Sequence, residues 1–261
     1  MQAHQRVLVV VGGASGIGYA SAQLFHQRGD RVVVLGRRAT ELKLVAHKHG
    51  FDYFPMDAAD PAQCDHAIAV ILHKYHRIDH LICSAGQMNI AKADQITALE
   101  WQMMLNNNLN SAAFIAKSAL PALIESHGSL VFIASLASLF AGKSVCAYTT
   151  TKHAMIGLMR SIARDYGEYM VRANAICPGW VMTPMADEEM QAIMLRRQLT
   201  LQQAYAYVTQ HVPLRRAATA DEIAHICWFL CSEAASIITG AVICADGGAS
   251  IVDVPTLAFD E

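Results

Sequence analysis

A chain of 261 residues, 54% apolar and 16% charged, holds enough material for one large α/β domain or two small ones around a sizeable core. Its formal net charge of −2 argues against nucleic acid or an anionic membrane surface as a partner. The longest apolar candidate, Leu130–Gly142, is too short to span a bilayer and is broken by Ser135 and Ser138.

The first expected element is a strand, Arg6–Val11. Its apolar run leads straight into a glycine turn instead of a cleavage site, so the N-terminus reads as fold and not as a secretory signal. The turn, Gly12-Gly13-Ala14-Ser15-Gly16-Ile17-Gly18, opens a helix expected over Gly16–Arg28. Glycines there allow a tight turn and close backbone approach to a pyrophosphate, which a helix N-terminus stabilises. Gly12, Ser15, Gly16, Ile17 and Gly18 are therefore candidate cofactor contacts, although such a run by itself also serves packing. A second strand, Arg31–Leu35, ends in Gly36-Arg37-Arg38. An acid at this place would accept the ribose hydroxyls of NAD, whereas guanidinium groups pair with a 2′-phosphate. Arg37 and Arg38 thus favour NADP, with NAD as the alternative; Arg38 also reads as a solvated basic helix start.

Further strands are expected at Asp52–Phe54, His80–Cys83, Ser129–Ala134, Arg172–Cys177 and Ala241–Ala245, with helices at Pro61–His76, Asn108–Ser126, Ala147–Tyr169 and Ala220–Cys231. Strand–helix alternation of this kind predicts a parallel sheet covered on both faces. With no linker or repeat, residues 1–261 read as a single domain, a doubly wound Rossmann-type sheet in the order 3-2-1-4-5-6-7. Met182–Arg215 breaks the rhythm. This methionine-rich, helix-prone stretch follows a strand end, where open α/β sheets bind ligands, and residues 182–215 are read as a substrate lid. Met185, Met190 and Met194 are either packing or an adaptable pocket wall.

Seven cysteines, an odd number without a signal, fit a reducing cytoplasm. Cys227 and Cys231 read as core packing. The histidines of His47–His49 and His73–His80 lack a framework of further ligands, so no metal site is expected.

Tyr148 and Lys152 share a helix face at i and i+4, and Ser135 lies thirteen residues upstream of Tyr148. A cation beside a phenol favours the phenolate, so Lys152 is expected to bring the Tyr148 pKa down. A serine hydroxyl nearby can polarise a carbonyl oxygen as it accepts the tyrosine proton.

These residues and their order resemble the short-chain dehydrogenase/reductase family over Val7 to about Gly248. The TGxxxGxG turn falls on residues 11–18, and the aspartate after the third strand, which contacts adenine, on Asp57. The NNAG element falls on Cys83-Ser84-Ala85-Gly86. The helix asparagine falls on Asn108, chosen among Asn106, Asn107 and Asn108 because it lies thirteen residues before Pro121. The serine, tyrosine and lysine fall on Ser135, Tyr148 and Lys152, the PG-x-V-x-T element on Pro178, Gly179, Val181 and Thr183, and the closing DGG on residues 246–248. The resemblance implies an oxidoreductase that interconverts a carbonyl and a secondary alcohol with a nicotinamide cofactor. Tyr148 would be the acid/base and Ser135 would orient the carbonyl. Lys152 would hold the nicotinamide ribose, and Asn108 would anchor a water in a proton relay. Val181 and Thr183 would fix the carboxamide. It also implies a homotetramer, with contacts through Asn108–Ser126, Ala147–Tyr169 and the tail Ala249–Phe259. The substrate is expected to be small to medium and largely apolar.

Three positions depart from the pattern. Val11 replaces a threonine, and Cys83 and Ser84 replace both asparagines. Val11 and Cys83 are expected on facing strands, where apolar packing replaces polar ties. The same departures motivate the alternative of a dinucleotide-binding sensor or scaffold with little turnover.

Overall fold

The computed structural model describes residues 5–259. The chain opens with β1 (Val7–Val11), α1 (Gly16–Gln27), β2 (Arg31–Gly36), α2 (Ala39–His49), β3 (Asp52–Pro55), α3 (Pro61–Tyr75) and β4 (His80–Cys83). Then come α4 (Ala98–Met104), a π-helical stretch (Leu105–Asn110), α5 (Ser111–Ser126), β5 (Ser129–Ile133), α6 (Cys146–Tyr166) and β6 (Arg172–Pro178). The last third holds β7 (Val181–Met182), α7 (Pro184–Arg197), α8 (Leu201–Val208), β8 (Ala218–Thr219), α9 (Ala220–Cys231) and β9 (Val242–Ala245).

Seven strands form one parallel sheet, as the alternation predicted, in the expected order β3-β2-β1-β4-β5-β6-β9. Period-two side chains feed two cores. Val7, Val9 and Val11 of β1 pack under α3, α5 and α6, while Leu8 and Val10 face α1, α2 and α9. Every β1 residue is buried, which is why the strand reads as a continuous valine run instead of an alternating one. Val11 stands opposite Cys83 in the β1–β4 register, and both are buried, so the expected facing pair is present.

Several elements differ from expectation. Helices α2 and α4 were not anticipated, although α4 carries a full capping box between Thr97 and Glu100. The expected helix start, Asn108, falls inside the π-helical stretch and α5 begins only at Ser111; the wider i→i+5 turn rotates the side chains relative to an α-helix. The segment 182–215 folds as the helix pair α7 and α8 around its own small core of Ala186, Met190, Ala204, Tyr205 and Ala217. Its ends are clasped by a two-stranded parallel pair, Val181 to Ala218 and Met182 to Thr219.

Candidate active site

A cleft of about 770 Å³ opens above the carboxyl ends of the strands, where an open parallel sheet leaves a crevice. Its floor at one end is the glycine turn. Gly12 has φ +82°, and a Cβ there would press into the Ser84–Ala85 backbone. Gly12, Ser15, Gly16 and Ile17 line the cleft; Gly18 does not. Gly18 packs against the Gly12 carbonyl with no room for a side chain, so its part is to let α1 meet the turn, not to touch a ligand. Ser15 stands at the N-cap of α1 yet makes no capping bond, which leaves the first-turn N–H groups facing the cleft.

Beyond β2, Arg37 and Arg38 are exposed on the cleft rim, and Arg38 donates from Nη2 to Ser15 Oγ at 2.7 Å. Asp57 faces the same space and accepts from the Ala59 N–H at 3.0 Å. Ser84, Ala85 and Gly86 form the opposite wall, and the Ser84 N–H donates to the Val11 carbonyl at 3.0 Å. Pro178, Gly179, Val181 and Thr183 border the middle of the cleft. Thr183 caps α7, its Oγ1 accepting from the Ala186 N–H at 3.3 Å.

Ser135, Tyr148 and Lys152 meet here. Ser135 leaves the end of β5 in an extended conformation, and its Oγ accepts from the Ala137 N–H at 3.1 Å. Tyr148 and Lys152 rise from the first turns of α6, with the Lys152 Nζ 5.7 Å from the Tyr148 ring centre. Lys152 is buried and donates to the Ile133 carbonyl at 2.9 Å. Burial pulls its pKa down to about 8.

The phenol corrects one expectation. Burial pushes the Tyr148 pKa up, hydrogen bonding to Ser135 pulls it down, and the Glu189 carboxylate adds to the rise. Lys152 commits its ammonium to the Ile133 carbonyl, and desolvation sets the direction of the phenol's shift in the free protein.

Asn108 lies behind the lysine, on the far side from the open cleft. It is fully buried behind the cleft and does not line it. Its Nδ2 donates to the Gln87 carbonyl at 2.9 Å and to Thr151 Oγ1 at 3.1 Å, while its Oδ1 accepts from the Gln87 N–H at 2.7 Å. It thus braces the loop following β4 against α6, one residue before Lys152. Asn106 instead bonds Gln102 and Asn110, and Asn107 bonds the Gln87 side chain, so Asn108 is the inward asparagine of the three.

Sequence reasoning missed Glu189, which lines the cleft from α7. Three acids stand in a row there: Asp187 accepts from the Tyr205 hydroxyl at 2.8 Å, Glu188 is exposed, and Glu189 turns inward. The signal was helical spacing, because Met185 and Glu189 are i and i+4, and Met185 also lines the cleft. Of the other lid methionines, Met190 is buried and Met194 packs in the α7–α8 core, so they are packing residues.

Residues 12–250 match a family model described as enoyl-(acyl carrier protein) reductase. Protein MoaE of Klebsiella aerogenes is 49% identical over 258 residues, covering 97% of this chain and 99% of the relative. 2-(R)-hydroxypropyl-CoM dehydrogenase of Xanthobacter autotrophicus is 33% identical (93% and 97% covered). Dehydrogenase/reductase SDR family member 6 of Aquarana catesbeiana is 31% identical (94% and 98%). The chain belongs to the short-chain dehydrogenase/reductase family. Solved structures of dehydrogenases and reductases agree. The ligand-free aldohexose dehydrogenase of Thermoplasma acidophilum superposes with a TM-score of 0.88 at 30% identity, covering 96% of each chain. A variant actinorhodin polyketide ketoreductase with NADPH gives 0.87 at 25% identity, covering 95% of this chain and 98% of that one. As in the short-chain dehydrogenase/reductase family at large, the fold is that of an oxidoreductase binding a nicotinamide dinucleotide. No helix among the described residues is long and apolar enough to cross a membrane.

Proposed function

We propose that this chain is an NADP-dependent reductase or dehydrogenase that interconverts a carbonyl and a secondary alcohol. The observation that carries the reading is one cleft with Ser135, Tyr148 and Lys152 at one end and Arg37 and Arg38 at the other. The residues present fit a dinucleotide. The bare glycine backbone and uncapped first turn of α1 suit a pyrophosphate, the two guanidinium groups suit a 2′-phosphate, and Asp57 suits the adenine side. Ser84, Ala85, Gly86, Pro178, Gly179, Val181 and Thr183 would flank the rest.

When bound, the nicotinamide supplies or takes the hydride. Tyr148 gives the proton to the carbonyl oxygen in reduction and receives it in oxidation. Ser135 donates a second hydrogen bond to that oxygen, favouring the developing negative charge. Lys152, buried next to Tyr148, would hold the nicotinamide ribose and supply a positive charge beside the phenol. Asn108 acts as a positioning residue through Thr151 and Gln87. The pair α7 and α8 serves as the substrate lid. The reading extends to a cytoplasmic homotetramer with the tail and the helices α5 and α6 as contacts; the exposed apolar tail residues Ile251, Val254 and Phe259 support an association surface there.

Steady-state assays with NADPH and NADH over a panel of ketones test the reading. NADPH-linked reduction is expected, and turnover with NADH alone would replace the cofactor assignment. Dinucleotide binding without turnover of any carbonyl would favour the sensor reading, which the altered Cys83-Ser84 element motivates.

A further inference from the structure

The charged groups that line the cleft number seven, and six have a stated partner or belong to the cofactor end. Arg37, Arg38 and Asp57 stand at the adenosine side. Lys152 is bound to the Ile133 carbonyl. Arg216 is paired with Glu222 at 2.6 Å, and Asp246 accepts from the Gly248 and Ser250 N–H groups at 2.9 and 2.7 Å. Glu189 is the seventh. Among the described residues it has no ion pair and no side-chain hydrogen bond.

The cleft it lines is largely apolar elsewhere: Phe140, Val145 and Val212 are among the lining side chains, and Met185 lies one helical turn before Glu189 on α7. A partly buried carboxylate among apolar walls carries a desolvation cost that a cation inside the cleft relieves. Hydrocarbon walls with one anion, in the half where the carbonyl must lie, match an amphiphilic cation.

We propose that Glu189 is a specificity-determining residue that selects ketones or secondary alcohols bearing a protonated amine. This deepens the proposed function and rests on it. In such a ketone, the carbonyl carbon gains the hydride as NADPH is oxidised, its oxygen gains the Tyr148 proton, and the ammonium is untouched, held by Glu189. Burial and the neighbouring Glu188 push the Glu189 pKa up to about 7, so the free carboxylate is ready to be ionised by an arriving cation. The groups facing it are Tyr148 from α6 and Tyr205 from α8, both neutral near pH 7 and raised further by Glu189 itself, with Glu188 beside it on α7.

The test uses the NADP-loaded protein at pH 8 and two probes. One is an aryl ketone carrying a dimethylammonium group three methylenes from its carbonyl. The other is its isostere, in which an isopropyl group replaces the ammonium. Calorimetry measures binding of each to the wild type and to Glu189→Gln, and turnover is followed separately. The wild type is expected to bind the ammonium ketone roughly 10- to 100-fold more tightly than the isostere, the scale of a charged hydrogen bond. Glu189→Gln is expected to bring that ratio close to one. Equal binding of both probes by the wild type, a preference that survives in Glu189→Gln, or no binding of the ammonium ketone at millimolar concentration would overturn the proposal. A Glu189-dependent preference without turnover would keep the cation site and remove the reductase reading, so the two fail separately.

Discussion

Lys152 spends an Nζ–H on the Ile133 carbonyl, 2.9 Å away at the end of β5, while it is buried beside Tyr148. The lysine is thus held at the top of the sheet by backbone, not by a carboxylate. Its lowered pKa measures what this position costs the free protein. Fall from 10.5 to about 8 corresponds to about 3 kcal/mol against folding with the ammonium charged. Loss of the Ile133 bond returns about 1 kcal/mol. Lys152→Met is therefore expected to abolish turnover yet raise the unfolding midpoint of the cofactor-free protein by about 4–8 °C at pH 7. Because the folded pKa lies below the unfolded one, the wild type regains stability as pH rises from about 8 to 10.5, and the gain of the variant fades over that window. A midpoint below wild type at pH 7 would show that the amine is not strained there.

Tyr148→Phe removes the proton donor and leaves the ring. Turnover is expected to fall by roughly 10²- to 10⁴-fold, while calorimetric affinity for NADPH changes little. A variant with near-wild-type kcat would remove Tyr148 from the acid/base role.

At the adenosine end the two arginines are not equivalent. Arg38 already donates to Ser15, whereas Arg37 has no bond to another side chain among the described residues. Arg37→Ala is expected to weaken NADPH roughly tenfold or more, the scale of a charge-assisted hydrogen bond, and to leave NADH nearly unchanged. Equal losses for both cofactors would count against a 2′-phosphate contact.

Glu189 leaves a trace in stability as well as in specificity. Its folded pKa of about 7 lies above the free value of 4.5, so ionisation destabilises the folded state as pH rises through that range. Glu189→Gln should raise the unfolding midpoint at pH 8 and have little effect at pH 4.5, when followed by circular dichroism in the absence of substrate. A pH-independent difference would mean that the carboxylate is solvated.

Val11 and Cys83 face each other in a dry seam between β1 and β4. Val11→Thr and Cys83→Asn each bury a polar group without a partner, at about 1–3 kcal/mol. The double variant can pair the two, so chemical denaturation is expected to give a favourable coupling of roughly 0.5–3 kcal/mol. Additive losses would show that the seam has no room for the polar pair.

Strands were legible because each is a short apolar run bounded by turn residues, their parallel direction followed from the alternation with helices, and their order from the family resemblance. The lining of the cleft was legible where residue type and spacing carry the argument, as for Ser135, Tyr148, Lys152 and the glycine turn, which share it. It failed where three-dimensional rotation decides. Nothing in the run Leu105–Asn110 announces a π-helical turn, yet that turn aims Asn108 inward and Asn107 at Gln87. The phenol pKa was misread because helix spacing reveals a neighbour but not how deeply both groups are buried. Helix α2 escaped because only Leu42 and Ala46 of its residues are buried, too sparse an apolar stripe to stand out. Helix α4 was readable in principle from Thr97 and Glu100, a capping box three residues apart.

The short clasp of β7 with β8 has a bearing on how such a protein can change over time. It joins the two ends of the α7–α8 segment at the sheet, so whatever lies between them closes a loop whose ends are already fixed. Altering the length of that loop costs free energy only with the logarithm of its length. The segment also carries its own small core. It is therefore built as an exchangeable cassette: if it serves as the proposed lid, rewriting it changes the substrate while the end of β5 that precedes Ser135 and supports Lys152 keeps its sequence.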